Sequence, residues 1–578
     1  MDWIHCQDVV LPCQLEESYV KGESKVPLYK HSIGESLKIA AEKKPDHVAV
    51  IYAEGDVHVT CIQLFQQVNI LAKGLLGLGV TKGDVILVSG DHGENFATLL
   101  YAITSIGAIF FMPYIYEPKH YHLKTMINKI NVKMLITNER DSSMIDALKK
   151  IDPDAVVKSG HVNRWVNFSE FPSLKAIVVG DDKGMMGILP NPMISDEQLI
   201  ETQSMVTSDD PGFVFLSTGT TGEPKAILSH QSSMMNEIYL TLCRTNRHGK
   251  DMILAVENPT CEDVFCIEAI LAAVIVSEFT DITCVITPDH VPRAGFSDVI
   301  VGAMETYGVT HAHIWPYVWR DIILYGTKNG STLAKLKGGI TSSQPLAVDT
   351  VKEFISLAPE FVNFYSTSEA VATTSNFVDD PVVNRRLESV GFPLAHVEIK
   401  LIDDQDNVVR IGKIGEVCVK TPLMFLEYVG ESEKTRSVKD ERGWYRTGDV
   451  GRLDQNGFLY LVGRKADSIR FKRLGDIIYP GVIEAAAMRH KKVAEAKCLG
   501  INNAETCLGD DICLCIVVKP GESIKQEEID AHCGQFLTER DQPDYFLIME
   551  DFPRVGARKK ISTDKLREMC QKAIIKGN

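Results

Sequence analysis

Short runs of apolar, largely β-branched residues recur along the first half of the chain, and amphipathic stretches separate them. The runs lie at residues 48–52, 85–89, 134–137, 176–179, 213–216, 253–256 and 282–286. Uninterrupted apolar strands that alternate with helical patterns are typical of parallel sheets with helices on both faces. The pattern therefore predicts an α/β protein.

One apolar stretch has about the length of a membrane span. Residues 96–116 contain no charged side chain, and a helix of that length can cross a bilayer. Polar residues, a glycine and a proline interrupt it, among them Thr104, Gly107 and Pro113. This punctuation favours a helix at 95–105 followed by a buried strand at 108–112. We therefore predict no integral membrane span.

The pattern changes after Asp380. Shorter strands, joined by Asp- and Gly-containing turns, are predicted at 397–402, 416–420, 457–462 and 470–478. The chain then closes with a predicted helix at 481–490, strands at 494–499 and 511–518, and a helix at 525–537. We expect a large N-terminal α/β domain with a small β-rich subdomain, followed by a small α+β C-terminal domain.

Composition narrows the class of protein. The chain has 578 residues, 45% hydrophobic and 24% charged, as expected for roughly two to four globular domains. A net charge of −16 argues against nucleic-acid binding, because phosphate backbones select basic surfaces. The 14 cysteines include no CxxC pair, which predicts reduced thiols and neither a disulfide scaffold nor a zinc site. With no secretory signal and no evident peroxisomal signal at the carboxyl end, we expect an intracellular, cytoplasmic location.

The most informative segment joins a buried strand to a loop rich in glycine and hydroxyl groups. Residues 213–225 read FVFLSTGTTGEPK. Glycines let backbone N–H groups converge on an anion, hydroxyls add donors, and Lys225 supplies positive charge. The spacing matches neither a Walker loop nor the dinucleotide-binding fingerprint. An ordinary polar turn is the alternative, but the density of hydroxyls after a buried strand favours a polyphosphate site.

This segment closely resembles the phosphate-binding motif of the adenylate-forming enzymes, which include acyl-CoA synthetases, luciferases and the adenylation domains of peptide synthetases. The resemblance implies a loop that binds the nucleotide phosphates and a hydroxyl, that of Thr218, that also serves at the metal and in catalysis. The residues implied in nucleotide binding here are Ser217, Thr218, Gly219, Thr220, Thr221, Gly222 and Lys225.

A second motif, at residues 364–369, reads FYSTSE and resembles the family's Y-G-x-T-E. The resemblance implies that Tyr365 packs on adenine, that Ser368 contacts phosphate, and that Glu369 holds Mg²⁺ and acts in catalysis. Proteins commonly hold Mg²⁺ with one or two carboxylates plus substrate phosphate. Ser366 replaces the glycine of the family pattern and narrows the space near adenine.

Upstream, residues 340–346 (ITSSQPL) occupy the place of the family's glycine pair beside adenine. Ser342 and Ser343 stand where glycines are usual, and Ser343 is an expected nucleotide contact. Downstream, residues 444–449 (WYRTGD) closely match the family's TGD element. The resemblance implies that Asp449 accepts hydrogen bonds from the ribose hydroxyls, a task that suits an acceptor-only carboxylate.

Residues 463–470 (GRKADSIR) resemble the element that joins the two domains of the family. There Arg464 matches an arginine that reaches ribose or phosphate, and Lys465 and Ala466 match the hinge. Ala466 stands where the family usually carries Asp or Lys. The resemblance thus implies a small domain that rotates between two half-reactions.

The last two motifs lie in the small domain. Gly475 matches a glycine that lines the thiol tunnel of acyl-CoA synthetases, although extra residues precede it. Residues 552–561 (FPRVGARKKI) resemble the family's P-R-x-x-x-G-K-I, whose lysine binds both carboxylate and α-phosphate. Counting back from Leu566 aligns Lys560 with that catalytic lysine, and counting forward from Pro553 favours Lys559. We choose Lys560 because an apolar residue follows it.

The resemblance implies that ATP, with Mg²⁺, activates a carboxylic acid, fatty or otherwise, as an acyl-adenylate that coenzyme A then captures. It divides the chain into a large domain at 1–462, a hinge at 463–466 and a small domain at 467–578. A stand-alone acid:CoA ligase is favoured, since little chain beyond Lys560 remains for a carrier domain. Transfer to a separate carrier protein, luciferase-like oxidation, and a catalytically impaired nucleotide-binding homologue stay open.

Overall fold

The computed structural model describes most of the chain. The described residues are 11–12, 14–22, 25–89, 93–112, 120–138, 141–151, 162–164, 171–180, 193–217, 225–245, 252–256, 264–275, 281–287, 296–329, 333–342, 346, 348–470, 477–502, 510–555 and 560–577.

The strands are numbered in chain order. They are β1 Tyr19–Lys21, β2 Val48–Tyr52, β3 Val57–Thr60, β4 Val85–Val88, β5 Ile109–Phe111, β6 Val132–Asn138, β7 Val162–Arg164, β8 Ala176–Gly180, β9 Pro211–Ser217, β10 Lys225–His230, β11 Met252–Val256, β12 Ile282–Ile286, β13 His311–His313, β14 Gly338–Thr341, β15 Glu360–Thr367, β16 Val371–Ser375, β17 Phe392–Pro393, β18 Glu398–Ile402, β19 Gly415–Lys420, β20 Glu427–Tyr428, β21 Tyr445–Leu453, β22 Leu459–Arg464, β23 Ile469–Arg470, β24 Ile477–Ile478, β25 Val493–Asn502, β26 Asp510–Val518, β27 Tyr545–Met549, β28 Arg554–Val555 and β29 Lys560–Ile561.

The α-helices are numbered likewise. They are α1 Ile33–Lys43, α2 Cys61–Gly77, α3 Phe96–Ser105, α4 His120–Ile130, α5 Ser142–Ile151, α6 Asp196–Ser204, α7 Gln231–Arg244, α8 Val264–Ile275, α9 Phe296–Thr306, α10 Pro316–Asn329, α11 Val348–Leu357, α12 Val383–Glu388, α13 Ser432–Val438, α14 Pro480–Met488, α15 Gln526–Cys533 and α16 Thr563–Gly577.

Two large sheets form the body of the N-terminal domain. In the described residues one has eight strands in the order β20-β10-β9-β5-β4-β6-β8-β7, and the other nine in the order β17-β16-β15-β14-β13-β11-β12-β2-β3. Their central strands are parallel, and antiparallel strands close each edge. The parallel centres confirm the α/β fold predicted from the apolar runs.

The main core lies between these two sheets. Alternate residues of β4 face opposite sides, as the two-residue period of a strand requires. Ile86 and Val88 join the main core with α1, α2, α3, α7 and α8, whereas Val85 and Leu87 face a second core against α4 and α5. This arrangement covers both faces of the eight-stranded sheet with helices.

The charge-free stretch is a helix and a strand, as predicted. All ten residues of α3 are buried, and β5 is an inner strand of the eight-stranded sheet. Residues 113–116 of the stretch lie outside the described part. Among the described residues, no helix combines the length and the apolar character that a bilayer crossing demands.

A third sheet and the C-terminal domain follow. Five described strands form an antiparallel sheet in the order β1-β18-β19-β21-β22, which is the predicted β-rich subdomain. In the small domain, β25, β26 and β27 form a sheet with an apolar cluster on each face. The large and small domains thus follow in the predicted order.

Two predicted elements differ from the structure. The single strand expected at 470–478 is the antiparallel pair β23 and β24. The helix expected to reach 537 ends at Cys533, directly before Gly534. The TGD element lies inside β21.

Candidate active site

The predicted phosphate loop connects two antiparallel strands. Ser217 ends β9, Lys225 begins β10, and the two residues are cross-strand partners. The segment between them, which includes Thr218, Gly219, Thr220, Thr221 and Gly222, lies outside the described residues. The structure therefore fixes the two ends of the loop, at the edge of the strand pair.

A tight connection between β15 and β16 carries Glu369. The amide of Phe425 donates to the backbone oxygen of Glu369 at 2.7 Å, and Ala370 N donates to Thr367 Oγ1 at 3.1 Å. Val371 adopts a φ of +51°, which is a strained conformation for a β-branched residue. The surrounding hydrogen bonds hold this turn, and Glu369 within it is only 7% exposed.

Tyr428 contacts both Glu369 and Lys225. The Tyr428 hydroxyl donates to Glu369 Oε1 at 2.7 Å. Burial and the neighbouring Glu369 carboxylate raise the pKa of Tyr428 far above its usual range. The Lys225 ammonium lies 5.1 Å from the centre of the Tyr428 ring, within the range of a cation–π contact. Tyr428 thus links the end of the predicted phosphate loop to the acid predicted to hold Mg²⁺.

Asp449 is buried within β21. Gly448 has a φ of +72°, a conformation that favours glycine, and this bend precedes the acid. The Asp449 amide donates to Thr447 Oγ1 at 2.9 Å, and that hydroxyl in turn donates to the backbone oxygen of Val417 at 2.8 Å. The backbone on either side of Asp449 is therefore fixed by hydrogen bonds.

Both oxygens of the Asp449 carboxylate have partners. Tyr365 Oη donates to Oδ2 at 2.6 Å, and Arg464 Nε lies 2.8 Å from Oδ1. Arg464 is the direct cross-strand partner of Asp449 and also donates to the backbone oxygen of Thr447 at 3.0 Å. Burial raises the pKa of Asp449, and Arg464 and Tyr365 oppose that rise.

The two carboxylates belong to one site. The negative charge of Glu369 contributes to the raised pKa of Asp449. Burial raises the pKa of Tyr445 well above its usual range, and the neighbouring Glu369, Tyr428 and Tyr365 add to that rise. The structure therefore joins Tyr365 to Asp449 and places Glu369 in the turn that follows the strand of Tyr365.

Ser342 and Ser366, two departures from the family pattern, meet in space. Their hydroxyl oxygens are 3.4 Å apart, because Ser342 follows β14 and Ser366 lies on the neighbouring strand β15. Ser343 lies outside the described residues, and Ser368 is exposed at the turn beside Glu369.

The predicted hinge begins at the end of β22. Lys465 Nζ lies 2.9 Å from Asp404 Oδ1 and 3.0 Å from Glu416 Oε2. Both acids belong to the five-stranded sheet region, so Lys465 is held on the large domain. Ala466 follows in a short 3₁₀ turn and is exposed.

The predicted small-domain residues are only partly described. The backbone of Lys560 lies in β29, where it pairs with Val555 of β28. Lys559 and Gly475 lie outside the described residues. The choice between Lys559 and Lys560 stays a prediction.

Comparison with known families decides the class of this chain. The profile of the AMP-binding enzyme family matches residues 37–429, and that of the AMP-binding enzyme C-terminal domain matches residues 482–559. The chain belongs to the AMP-binding enzyme family. The recognised motifs of the AMP-binding fold thus lie on a chain that matches the family in both parts.

Individual AMP-binding proteins are distant relatives. The medium-chain acyl-CoA ligase ACSF2, mitochondrial, of Danio rerio is 27% identical, over 97% of this chain and 92% of its own length. The ATP-bound MatB structure from Rhodopseudomonas palustris has a TM-score of 0.74 at 18% identity, covering 93% of this chain and 99% of its own. The amide bond synthetase McbA from Marinactinospora thermotolerans has a TM-score of 0.75 at 20% identity, covering 93% and 99%. The two structures establish the fold.

Sequence reasoning missed Tyr428 and Thr447 in this AMP-binding site. Tyr428 reaches Glu369 because β20 pairs with β10, which is remote in the sequence, with Ile227 opposite Tyr428. No local spacing encodes that pairing. Thr447 belongs to the recognised TGD motif, and an Asp two residues after a Thr is the local signal that could have identified its hydrogen bond to the Asp449 amide.

Proposed function

We propose that this AMP-binding enzyme activates a carboxylic acid with ATP and transfers the acyl group to coenzyme A. The observation that carries the proposal is the pair of buried acids on a chain that matches the family in both parts: Glu369 is bonded by Tyr428, and Asp449 is bonded by Tyr365 and Arg464. In the first step, a carboxylate oxygen attacks the α-phosphorus and pyrophosphate leaves. In the second, the thiol sulfur attacks the acyl carbon and AMP leaves.

Glu369 is the proposed metal-binding acid. Its carboxylate is buried and accepts one hydrogen bond, from the Tyr428 hydroxyl. The other lone pairs of the two carboxylate oxygens remain available to a metal ion. Such a lone carboxylate suits Mg²⁺, which completes its coordination with phosphate oxygens and water. When bound by Glu369 and Thr218, Mg²⁺ would offset the negative charge of the triphosphate. Lys225 would add positive charge, and the loop at 217–222 and Ser368 would donate to phosphate oxygens.

Asp449 and Arg464 are the proposed ribose-binding pair. Each carboxylate oxygen has two lone pairs and uses one on Tyr365 or Arg464, so acceptor capacity remains for the ribose hydroxyls. Arg464 would keep Asp449 ionised in its buried position. Tyr365 would pack along adenine while its hydroxyl positions Asp449, and Ser343 would line the same side of the base.

The small domain would supply the remaining groups. We assign residues 1–462 to the large domain, 463–466 to the hinge and 467–578 to the small domain. Lys560 would bridge the carboxylate and the α-phosphate in the first step, because the two anions must approach each other. Rotation after Lys465, at Ala466, would bring Gly475 to the thiol in the second step.

The acid is proposed to be of medium chain length, and a cytoplasmic location stays a prediction. The supporting observation is the similarity to the medium-chain ligase of Danio rerio, whose name also places that relative in mitochondria. The contact between Ser342 and Ser366 favours one alternative, a homologue with impaired nucleotide binding, because two hydroxyls occupy space that glycines would leave open.

Carboxylate-dependent exchange between pyrophosphate and ATP tests the first step. A panel of medium-chain, short aliphatic and aromatic acids is expected to show exchange that is strongest with the medium-chain acids, followed by CoA-dependent release of AMP. Exchange without CoA dependence would indicate another acceptor. No exchange with any acid would support the impaired homologue.

The lysine assignment has its own test. Lys560→Ala should abolish exchange, yet leave CoA able to capture a supplied acyl-adenylate, because the second step does not use this lysine. Lys559→Ala is the matched control and should retain exchange. The reverse result would move the role to Lys559.

A further inference from the structure

Three cysteines meet in the interior of the small domain. Cys513, Cys515 and Cys570 are completely buried, and their sulfur atoms all lie within 4.8 Å of one another. Cys515 Sγ and Cys570 Sγ are 3.2 Å apart. We call these three residues the thiol cluster.

The fold itself produces the thiol cluster. Cys513 and Cys515 are two positions apart on β26, so both face the same side of the sheet. Helix α16 covers that side and contributes Cys570 next to Leu566 in the same apolar group. The C-x-C spacing and the gap to Cys570 gave no indication of this meeting, because it depends on how α16 packs.

The surroundings restrict what the thiol cluster can bind. Its neighbours in the apolar group include Leu499, Val517 and Phe552. Within the described residues, no fourth Cys, His, Asp or Glu joins the three sulfurs. Zn²⁺ in structural sites almost always takes four ligands, whereas soft thiolates without oxygen or nitrogen donors suit Cu(I). We propose that the thiol cluster is a three-coordinate Cu(I) site.

The observed spacing is close to what such a site needs. Metal–thiolate bonds of about 2.3 Å place three sulfurs of a trigonal site about 4 Å apart. Cys515 and Cys570 therefore need to separate by less than 1 Å from 3.2 Å. Each new Cu–S bond replaces an S–H bond and releases one proton.

Anaerobic titration of the reduced, full-length protein with Cu(I) tests the proposal. The probe is Cu(I) acetonitrile complex, in competition with the chromogenic chelator bicinchoninate. The protein is expected to remove one equivalent of copper per chain from the chelator. X-ray absorption of the loaded protein should show sulfur neighbours only, at about 2.3 Å, and copper should raise the thermal midpoint because it binds the folded state.

Variants separate the thiol cluster from the other cysteines. Cys570→Ser should lose the high-affinity equivalent, whereas Cys533→Ser, a buried cysteine in the other apolar group of the small domain, should keep it. If Cys570→Ser fails to fold, the proposal is still tested, because the X-ray absorption spectrum of the copper-loaded wild type identifies the ligand atoms directly. Oxygen or nitrogen neighbours, copper retained by Cys570→Ser, or a Cys515–Cys570 disulfide in freshly isolated protein would each overturn the proposal.

Discussion

The Tyr428 hydroxyl donates a 2.7 Å hydrogen bond to the Glu369 carboxylate from a strand that lies 59 residues further along the chain. Tyr428 also presents its ring to Lys225 at 5.1 Å. A single side chain therefore connects the acid proposed to hold Mg²⁺ with the lysine at the end of the phosphate loop. The orientation of the acid depends on this phenol.

Tyr428→Phe should weaken metal-dependent activity while it preserves the ring. A hydrogen bond to a charged group contributes about 1.5–3 kcal/mol, so acid-dependent pyrophosphate exchange should fall about 10- to 100-fold. The Mg²⁺ concentration at half-maximal rate should rise as well. Exchange measured across a Mg²⁺ series reports both effects.

The control is Tyr460→Phe. Tyr460 Oη donates to Asp454 at 3.3 Å, away from Glu369, so its loss should leave the Mg²⁺ series unchanged. Equal behaviour of the two variants would show that Tyr428 does not position Glu369.

Asp449→Asn should raise the KM for ATP by about 10- to 100-fold, the range of one hydrogen bond to a charged group. The amide removes the charge that pairs with Arg464 and reduces the acceptor capacity for ribose. Asp406→Asn is a matched control because Asp406 pairs with Arg446 on the exposed surface. That variant should leave the KM unchanged, since exposed ion pairs contribute little. A normal KM in Asp449→Asn contradicts the ribose assignment.

A buried acid pair predicts how stability depends on pH. Glu237 on α7 shares a hydrogen bond with Glu268 on α8, and burial raises the pKa of Glu237 from 4.5 to about 8. The folded state thus keeps a proton that the unfolded state has already lost. The contribution of Glu237 to the free energy of unfolding is fully present below pH 4.5, and it declines as the pH rises to about 8.

Glu237→Gln should flatten that decline, because an amide does not titrate. The free energy of unfolding, measured in urea at about pH 5.5 and about pH 8, should fall with pH in the wild type by more than in the variant. Glu42→Gln, at a position with 64% exposure, should behave as the wild type does. Identical slopes in all three proteins would contradict the shared proton.

Arg244 should be essential for stability although it lies outside the proposed site. Its guanidinium donates to the backbone oxygens of Ser375, Phe392 and Pro393 at 2.6–3.1 Å, and it lies 4.5 Å from the Phe377 ring. Arg244→Lys cannot reproduce this planar arrangement. We expect a loss of about 2–4 kcal/mol in urea unfolding. The control is Arg442→Lys at an exposed position, for which we expect a loss of about zero. A loss below about 1 kcal/mol in Arg244→Lys would contradict the structural role of Arg244.

Local pattern predicted the large-domain strands well. The strands at 48–52 and 282–286 match β2 and β12 in both bounds, because a buried parallel strand must be apolar throughout. The pair β23 and β24 was predicted as one strand, since a two-residue strand leaves too little pattern to detect. The helix predicted to reach 537 ends at Cys533, and residues 534–537 continue it only as hydrogen-bonded turns, which the apolar spacing does not distinguish from helix.

Only those site residues that belong to recognised motifs could be identified from the sequence. Glu369, Asp449 and Arg464 were identified from the resemblance, and the structure brings their charges together. Tyr428 was not identified, because its position depends on the pairing of β20 with β10, which are far apart in the sequence. The contact of Ser342 with Ser366 could not be predicted either. The sequence showed each serine only as a departure from the family pattern, and their contact follows from the parallel order of β14 and β15.

The two ion pairs of Lys465 limit the freedom of the proposed hinge. Asp404 and Glu416 hold its ammonium from two directions, so the residue behaves as the last fixed position of the large domain. Torsional change is then left to the backbone from Ala466 onward. Ala466 has less backbone freedom than a glycine, and it has no polar side chain that could hydrogen-bond to either domain. It would therefore restrict the small domain to a few orientations during its rotation.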